Sequence, residues 1–370
     1  MRRVVIIGGG FAGLGVAKAL NGVAEVLVID SKLSHTYTPW LYEVASGKRG
    51  APPDVPFTGL KGYKHVTFIH DKVLEVRSAE RVVLCGRGGS YRYDDLVIAV
   101  GAVPNDFGLP GVKEYARFLK TSDQAMSIKG EAQALFKRGE GQIVMVGAGP
   151  TGVETAAELA LWGRRMGSNV KVALLDAGEW PLGAGAHPRV GKLAKDRLAK
   201  VGVEYIGQAR LLRMTGTEVF YAGPQGERGL ASDLTIWSGG VKANPIVQTW
   251  RLPMDERGRL KIQENFQVSG QPHVYALGDV ATVVNPRTGR PDPQSAQVAV
   301  SQAHHLGREL ARLCKTGRVP RPFKFPRRWE LLVAIGGRYA VGDVMGLKTG
   351  GFLFYLLRQL VDRRYFWRTL

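Results

Sequence analysis

The sequence predicts an α/β fold. Two Rossmann-like dinucleotide-binding domains share one chain, the second inserted in the first, and a C-terminal amphipathic helical segment follows them. Three observations predict it. Two glycine-rich loops each stand between an apolar run and a helical pattern, and each is followed by a second apolar run that ends in an acid. An apolar run entering a glycine turn recurs in LVIAVGAV and DLTIWSGGV, so similar substructures appear in both halves. A third such run, HVYALGDVA, lies beyond the second loop and its domain, where the chain returns to the first domain. Insertion of this kind is tolerated because domain termini lie close together.

The first loop is IIGGGFAGLG, with Gly8, Gly10 and Gly13 in the GxGxxG register and Asp30 ending EVLVID. The second is VMVGAGPTGVE, with Gly147, Gly149 and Gly152 in register and Asp176 ending VKVALLD. In each, the first glycine permits the tight turn, the second lets the backbone approach a pyrophosphate, and the third lets helix and strand pack closely. The helix N-terminus presents free N–H groups and a partial positive charge to the phosphates. The acid then accepts hydrogen bonds from a ribose diol. A carboxylate at Asp176 repels a 2′-phosphate, and no Arg follows it at once, which favours NADH over NADPH. Two dinucleotides on one polypeptide are the arrangement of a flavoenzyme that takes hydride from a nicotinamide, so FAD and NADH are the expected cofactors.

The remaining elements follow in order. Strand-like runs come at HVTFIH, KVLEVR and RVVLC, after the proline-rich APPDVP. YDDLVIAVGAVPN is a strand running into the turn at Gly101. The second dinucleotide unit starts near Gln142, with a helix over Val153 to Trp162 and a strand over Val170 to Asp176. A helix over Arg189 to Lys200 precedes the strand GVEYI, and a helix over Ser295 to Lys315 follows HVYALGDVA. The expected divisions are 1–115 and 265–325 for the FAD domain, 116–264 for the NADH domain, and 326–370 for a C-terminal segment.

The chain has 370 residues, enough for two domains, and a formal net charge of +19. A basic balance suits nucleic acid, an anionic membrane or an acidic partner. No aromatic-interleaved nucleic-acid motif or zinc spacing occurs, so no nucleic acid is expected. The two cysteines, Cys85 and Cys314, form no CxxC pair, which excludes a disulfide scaffold and points to a reducing compartment. His304 and His305 are adjacent and project apart on a helix, so no metal site is expected. The run in MRRVVIIGGG reads as a first strand rather than a signal peptide. No run of about 18 apolar residues occurs to span a membrane.

GGFLFYLLRQLVDRRYFWRTL suits an amphipathic helix. On a helical wheel Leu353, Leu356, Leu357, Leu360 and Trp367 cluster on one side, with Arg358, Gln359, Asp362 and Arg363 opposite. A basic, aromatic amphipathic helix reads as one lying in a membrane interface. Anionic lipid attracts it by about 1 kcal/mol per nearby Lys or Arg. Deletion of Gly350 to Leu370 is expected to release the protein from membranes while leaving NADH oxidation by a soluble dye intact.

These residues together resemble the type II NADH dehydrogenases (NADH:quinone oxidoreductases) nearly end to end. HTYTPWLYEVASG resembles that family's flavin-side segment, TIWSGGVKANP and VYALGDVA its later flavin motifs, and SAQVAVSQA its quinone motif. AIGGRYAVGDVMGLKTGGFLFYLLRQLV resembles its C-terminal region. The resemblance implies that His35 and Gly101 lie on the flavin side and that Asp279, after Gly278, binds the flavin ribitol. It places Glu154 beside the nicotinamide and the isoalloxazine, and Gln297 in the quinone motif. The motif's second glutamine is replaced by Ser301, with Gln302 one residue late. The family's Asp-Lys-Gly is replaced by RRWE, where Arg328 is a candidate cation and Trp329 a candidate apolar wall. A membrane quinone as acceptor, peripheral attachment at the cytoplasmic face and a homodimer are what the resemblance implies. The alternative is a soluble NADH-dependent flavoprotein reductase that passes electrons to a protein such as a ferredoxin.

Overall fold

The computed structural model describes residues 1–370, apart from the side chains of Ala184 and Arg368. Two five-stranded sheets organise it. The first runs Val274–Ala276, Asp95–Ile98, Arg3–Ile7, Glu25–Asp30, Val66–His70, with every pairing parallel. The second runs Arg117–Phe118, Leu234–Trp237, Gln142–Val146, Lys171–Leu175, Val203–Ile206, again all parallel. All strands of the second sheet fall in the chain between Asp95–Ile98 and Val274–Ala276 of the first. This is the nested arrangement expected from the recurring glycine turns.

The strands are continuous apolar runs because both faces of each sheet are covered. Val4 and Ile6 face one core together with Leu14 and Leu306, while Val5 and Ile7 face another with Val83 and Trp250. The principal helices are α1 (Phe11–Leu20), α2 (Ser122–Arg138), α3 (Pro150–Arg165), α4 (Pro188–Lys200), α5 (Ala296–Thr316) and α6 (Phe352–Thr369). Local chemistry sets their ends. Thr121 and Gln124 form a capping box at α2, and Ser295 caps α5 by accepting from the Val298 N–H.

A small antiparallel sheet, Leu331–Ala334, Ala340–Val344 and Leu347–Gly351, carries the chain from the first unit onto the second. Its Val333, Ile335 and Val341 share a core with Val153, Ala156 and Ala157 of α3. Helix α6 then crosses the segment Tyr37–Trp40. On the polar side of the helical wheel Arg363 is exposed, but Arg358 and Asp362 are turned into the protein. Arg358 and Asp362 are only 8% and 2% exposed, whereas Leu353 is 77% and Trp367 84% exposed. The cause is a set of partners that the wheel does not contain. Asp362 accepts from the Tyr37 hydroxyl (2.5 Å) and the Trp40 indole N–H (3.0 Å), and pairs with Arg358. A buried ion pair is tolerated when its remaining hydrogen-bonding capacity is filled in this way. Among the described residues no helix is long and apolar enough to cross a membrane.

Candidate active site

The two units meet at a cleft of about 910 Å³. Its lining comes from the first phosphate loop, from Pro150, Thr151 and Glu154 just after the second, and from the ends of the parallel strands, the usual place for ligands in open α/β sheets. Each loop answers to its glycines. A Cβ on Gly8 (φ +104°) would lie 2.4 Å from the Ala99 carbonyl oxygen, and one on Gly13 would lie 1.8 Å from the Gly8 carbonyl oxygen. The same holds at Gly147 (φ +100°) and Gly152, the latter 1.9 Å from the Gly147 carbonyl oxygen. Gly10 and Gly149 differ: a Cβ there would meet nothing within 4 Å. Space is thus left open at the two positions where a pyrophosphate has to approach the backbone, so both loops fit a dinucleotide.

The acids hold these loops in shape. Asp30 accepts from the Gly9 N–H (2.6 Å) and Asp176 from the Ala148 N–H (2.7 Å) and the Gly178 N–H (2.7 Å). Gly8, Gly10, Asp30, His35, Gly101, Gly278, Asp279, Gln297 and Glu154 line the cleft. Gly147, Gly149, Gly152 and Asp176 do not line it, whereas Pro150 and Thr151 of the same loop do. Gln294 donates to the Asp279 carbonyl (2.8 Å), and Lys120 Nζ lies 4.0 Å from the Asp279 carboxylate. Burial raises the Asp279 pKa, opposed by Lys120.

His35 is buried, and burial lowers its pKa to about 4. Its neutral ring satisfies both neighbours. Nδ1 donates to the Gly9 carbonyl (3.2 Å), and Nε2 accepts from the Tyr365 hydroxyl (3.1 Å). His35 therefore braces the first phosphate loop against the last turn of α6.

Glu154 sits in the second turn of α3 and accepts from the Ala334 N–H (3.2 Å). Burial raises its pKa to about 7, against the opposing pull of Arg358 and that N–H. Arg358 Nε lies 4.0 Å from the Glu154 carboxylate. Burial works against the Arg358 charge, but Glu154 and Asp362 more than offset it, and its pKa is raised. A carboxyl that titrates near neutrality beside a fixed cation is suited to holding or passing a proton.

The glutamine pattern separates into two roles. Gln297 lines the cleft, whereas Ser301 is half-buried on α5 and is not among the lining residues. Gln302, 1% exposed, accepts from the Gly278 N–H (2.8 Å) and so ties α5 to the turn that carries Asp279. Arg328 pairs with Asp343 (3.6 Å) and Trp329 donates to Asp292 (2.9 Å). Neither lines the cleft, which corrects the expectation that they replace the missing motif there. Sequence reasoning missed Lys120 and Gln294 and set Arg358 on the polar, outward side of the helix. No group of three or more metal-ligating side chains occurs among the described residues.

Fold and site together define a two-dinucleotide flavoprotein oxidoreductase. A sequence model of the pyridine nucleotide-disulphide oxidoreductase family matches residues 2–303. An NADH dehydrogenase-like protein of Mycobacterium tuberculosis is 33% identical over 76% of this chain and 73% of its own. The type II NADH:quinone oxidoreductase Ndh of that organism is 28% identical over 96% of this chain and 82% of its own. Among solved structures, NDH2 of Plasmodium falciparum, in complex with NADH, superposes with a TM-score of 0.88 at 17% identity, over 99% of this chain and 94% of that one. The chain belongs to the pyridine nucleotide-disulphide oxidoreductase family and, within it, to the type II NADH:quinone oxidoreductases.

Proposed function

We propose that this chain oxidises NADH and reduces a membrane quinone through FAD, without pumping protons. The overall change is NADH + H⁺ + quinone → NAD⁺ + quinol. The observation that carries the reading is a cleft lined by the first phosphate loop and by Pro150 and Thr151 of the second, with Glu154 and Arg358 at the junction. Bound FAD supplies the hydride acceptor and the path for two electrons. The chain's own residues do the rest. Gly8, Gly10 and Gly13 seat one pyrophosphate, Gly147, Gly149 and Gly152 the other. Asp30 and Asp279 hold the flavin nucleotide's hydroxyls, and Asp176 holds the NADH ribose. The Glu154 carboxyl stores a proton near neutral pH for the quinone side, and Arg358 holds it in place. Gln297 supplies an amide to a quinone carbonyl. Ser301 supports the adjoining wall of the acceptor pocket.

The outward row Leu353, Leu356, Leu360 and Trp367 suits a peripheral seat in a bilayer interface, at the cytoplasmic face where NADH is available. The unit boundaries at residues 115 and 325 are kept, but the return to the first unit is placed near residue 241 rather than 264, because Ala243, Val247, Trp250 and Leu252 share a core with Val5 and Ile7.

Anaerobic stopped-flow tests the reading. NADH is expected to bleach the flavin absorbance near 450 nm rapidly, and a short-chain quinone to restore it rapidly. Bleaching without quinone-dependent recovery sinks quinone as acceptor and brings forward a reductase that serves a protein such as a ferredoxin.

A further inference from the structure

A second concavity, of about 540 Å³, opens beside the last turns of α6, away from the dinucleotide cleft. Three cations line it from three parts of the chain: Lys18 on α1, Lys61 in the following loop region and Arg363 on α6. Trp40, Phe366 and Trp367 form its walls. Trp40 and Phe366 are stacked, with centroids 4.6 Å apart.

Lys18 is held in place by its surroundings, and the backbone that carries Lys61 is tied to the end of α6. Lys18 is half-buried with its ammonium 5.5 Å from the Tyr63 ring centre, and Tyr63 donates to the Thr369 carbonyl (2.7 Å) at the end of α6. The Lys61 N–H donates to the Leu370 carbonyl (3.2 Å). No carboxylate pairs with Lys18, Lys61 or Arg363 among the described residues, although most half-buried cations elsewhere in this chain have one. Partial burial lowers the Lys18 pKa. Three cations line the groove against at most one main-chain carboxylate, at Leu370, so the groove is net positive and an anion bound between them relieves their mutual repulsion.

We propose that this groove binds the phosphate of an anionic phospholipid headgroup and so fixes the seat of α6 on the bilayer. The proposal rests on the membrane-interface reading above and goes beyond it by naming a site and a headgroup chemistry. The rim of the groove gives the source of the phosphate. Trp367 belongs both to the groove and to the exposed apolar row with Leu353, Leu356 and Leu360. A lipid whose chains meet that row presents its headgroup at the level of Trp367, the depth tryptophan prefers in a bilayer. The Arg363 guanidinium matches phosphate geometry through its paired N–H groups, and the two lysines add point charges.

The test is cosedimentation of the flavin-loaded protein with vesicles of phosphatidylcholine alone or mixed with phosphatidylglycerol. The wild type is expected to prefer the anionic vesicles. The double variant Lys61→Gln/Arg363→Gln, both at exposed positions, is expected to lose that preference by about 25-fold, roughly fivefold per cation. Its binding to phosphatidylcholine stays as in the wild type. A control of equal charge loss on the inserted unit, Lys171→Gln/Arg210→Gln, is expected to change the preference by less than about twofold at physiological salt. Equal losses in the two double variants overturn the headgroup site in favour of net charge. Equal binding of the wild type to both vesicles overturns it while leaving the membrane reading intact. Binding to neither vesicle removes the membrane reading itself. Release by inorganic phosphate, but not by chloride of equal ionic strength, reassigns the groove to a soluble anion.

Discussion

Replacing Glu154 by glutamine keeps the side-chain shape and its acceptor for the Ala334 N–H, and removes its titration. Burial holds the folded carboxyl at about 7, against an ordinary value of 4.5. The fold therefore favours the protonated form. Below pH 4.5 the carboxyl is protonated folded or unfolded and costs nothing. As pH rises toward 7 the unfolded chain gives up the proton while the native one retains it, and stability falls. Above about 7 the loss is complete. The interval from 4.5 to about 7 corresponds to about 3 kcal/mol. Glu154→Gln is thus expected to match the wild type at pH 4 and to exceed its stability by about 3 kcal/mol at pH 8. Urea unfolding of the flavin-loaded protein, followed at several pH values, measures the difference. The same variant is expected to lose the step near pH 7 from the pH profile of quinone reduction. A stability difference that does not change between pH 4 and pH 8 would refute the reasoning, because it would mean that the buried carboxyl titrates like an exposed one.

Further perturbations probe other parts of the site. Arg358→Met leaves Asp362 and Glu154 buried without their cation and is expected to cost about 3 kcal/mol in urea unfolding. Adding Asp362→Asn is expected to recover much of that loss, and additive losses would deny the pairing. Gly10→Ala and Gly149→Ala place a methyl group in open space, so the Tm stays near that of the wild type. The first is expected to weaken flavin retention and the second to raise the KM for NADH, each roughly tenfold or more. Gly13→Ala, which would drive a Cβ to 1.8 Å from the Gly8 carbonyl oxygen, is expected to abolish folding of the first unit, read by circular dichroism. Gln302→Leu strips the Gly278 N–H of its partner and is expected to cost about 1–3 kcal/mol and to release flavin at lower temperature, with NADH binding unchanged.

The features legible in the sequence were local ones. A glycine loop, the strand before it and the acid after the next strand lie within about one βαβ unit, so spacing alone placed Gly8 to Asp30 and Gly147 to Asp176. The helix expected over Ser295 to Lys315 stands at Ala296–Thr316, with Ser295 as its cap. What stayed hidden depends on contacts across the chain. The wheel grouped Arg358 with Asp362 on one side of α6, but no local pattern reveals that Tyr37, 325 positions earlier, waits for Asp362. Arg358 and Tyr365 thereby belong to the catalytic and phosphate-loop surroundings. Deleting Gly350 to Leu370 consequently removes site residues as well as the apolar row, and dye activity is not expected to survive it. Gln302 was hidden for a different reason. A glutamine one place out of register reads as a damaged motif until its carboxamide is seen on the Gly278 N–H.

The nesting of the two sheets also sets an order of assembly. A ribosome delivers all the strands of the inner sheet, Arg117–Phe118 to Leu234–Trp237, before it delivers Val274–Ala276, the edge strand of the outer one. The inner unit can close on nascent chain already made, while the outer unit keeps one side of Asp95–Ile98 unpaired and lacks α5 over α1. With Asp279 as well as Gly8 to Gly13 proposed to hold the flavin, its seat is incomplete until that late segment arrives. Capture of the first cofactor is therefore among the last events in the birth of this protein, although its loop is among the first sequences made.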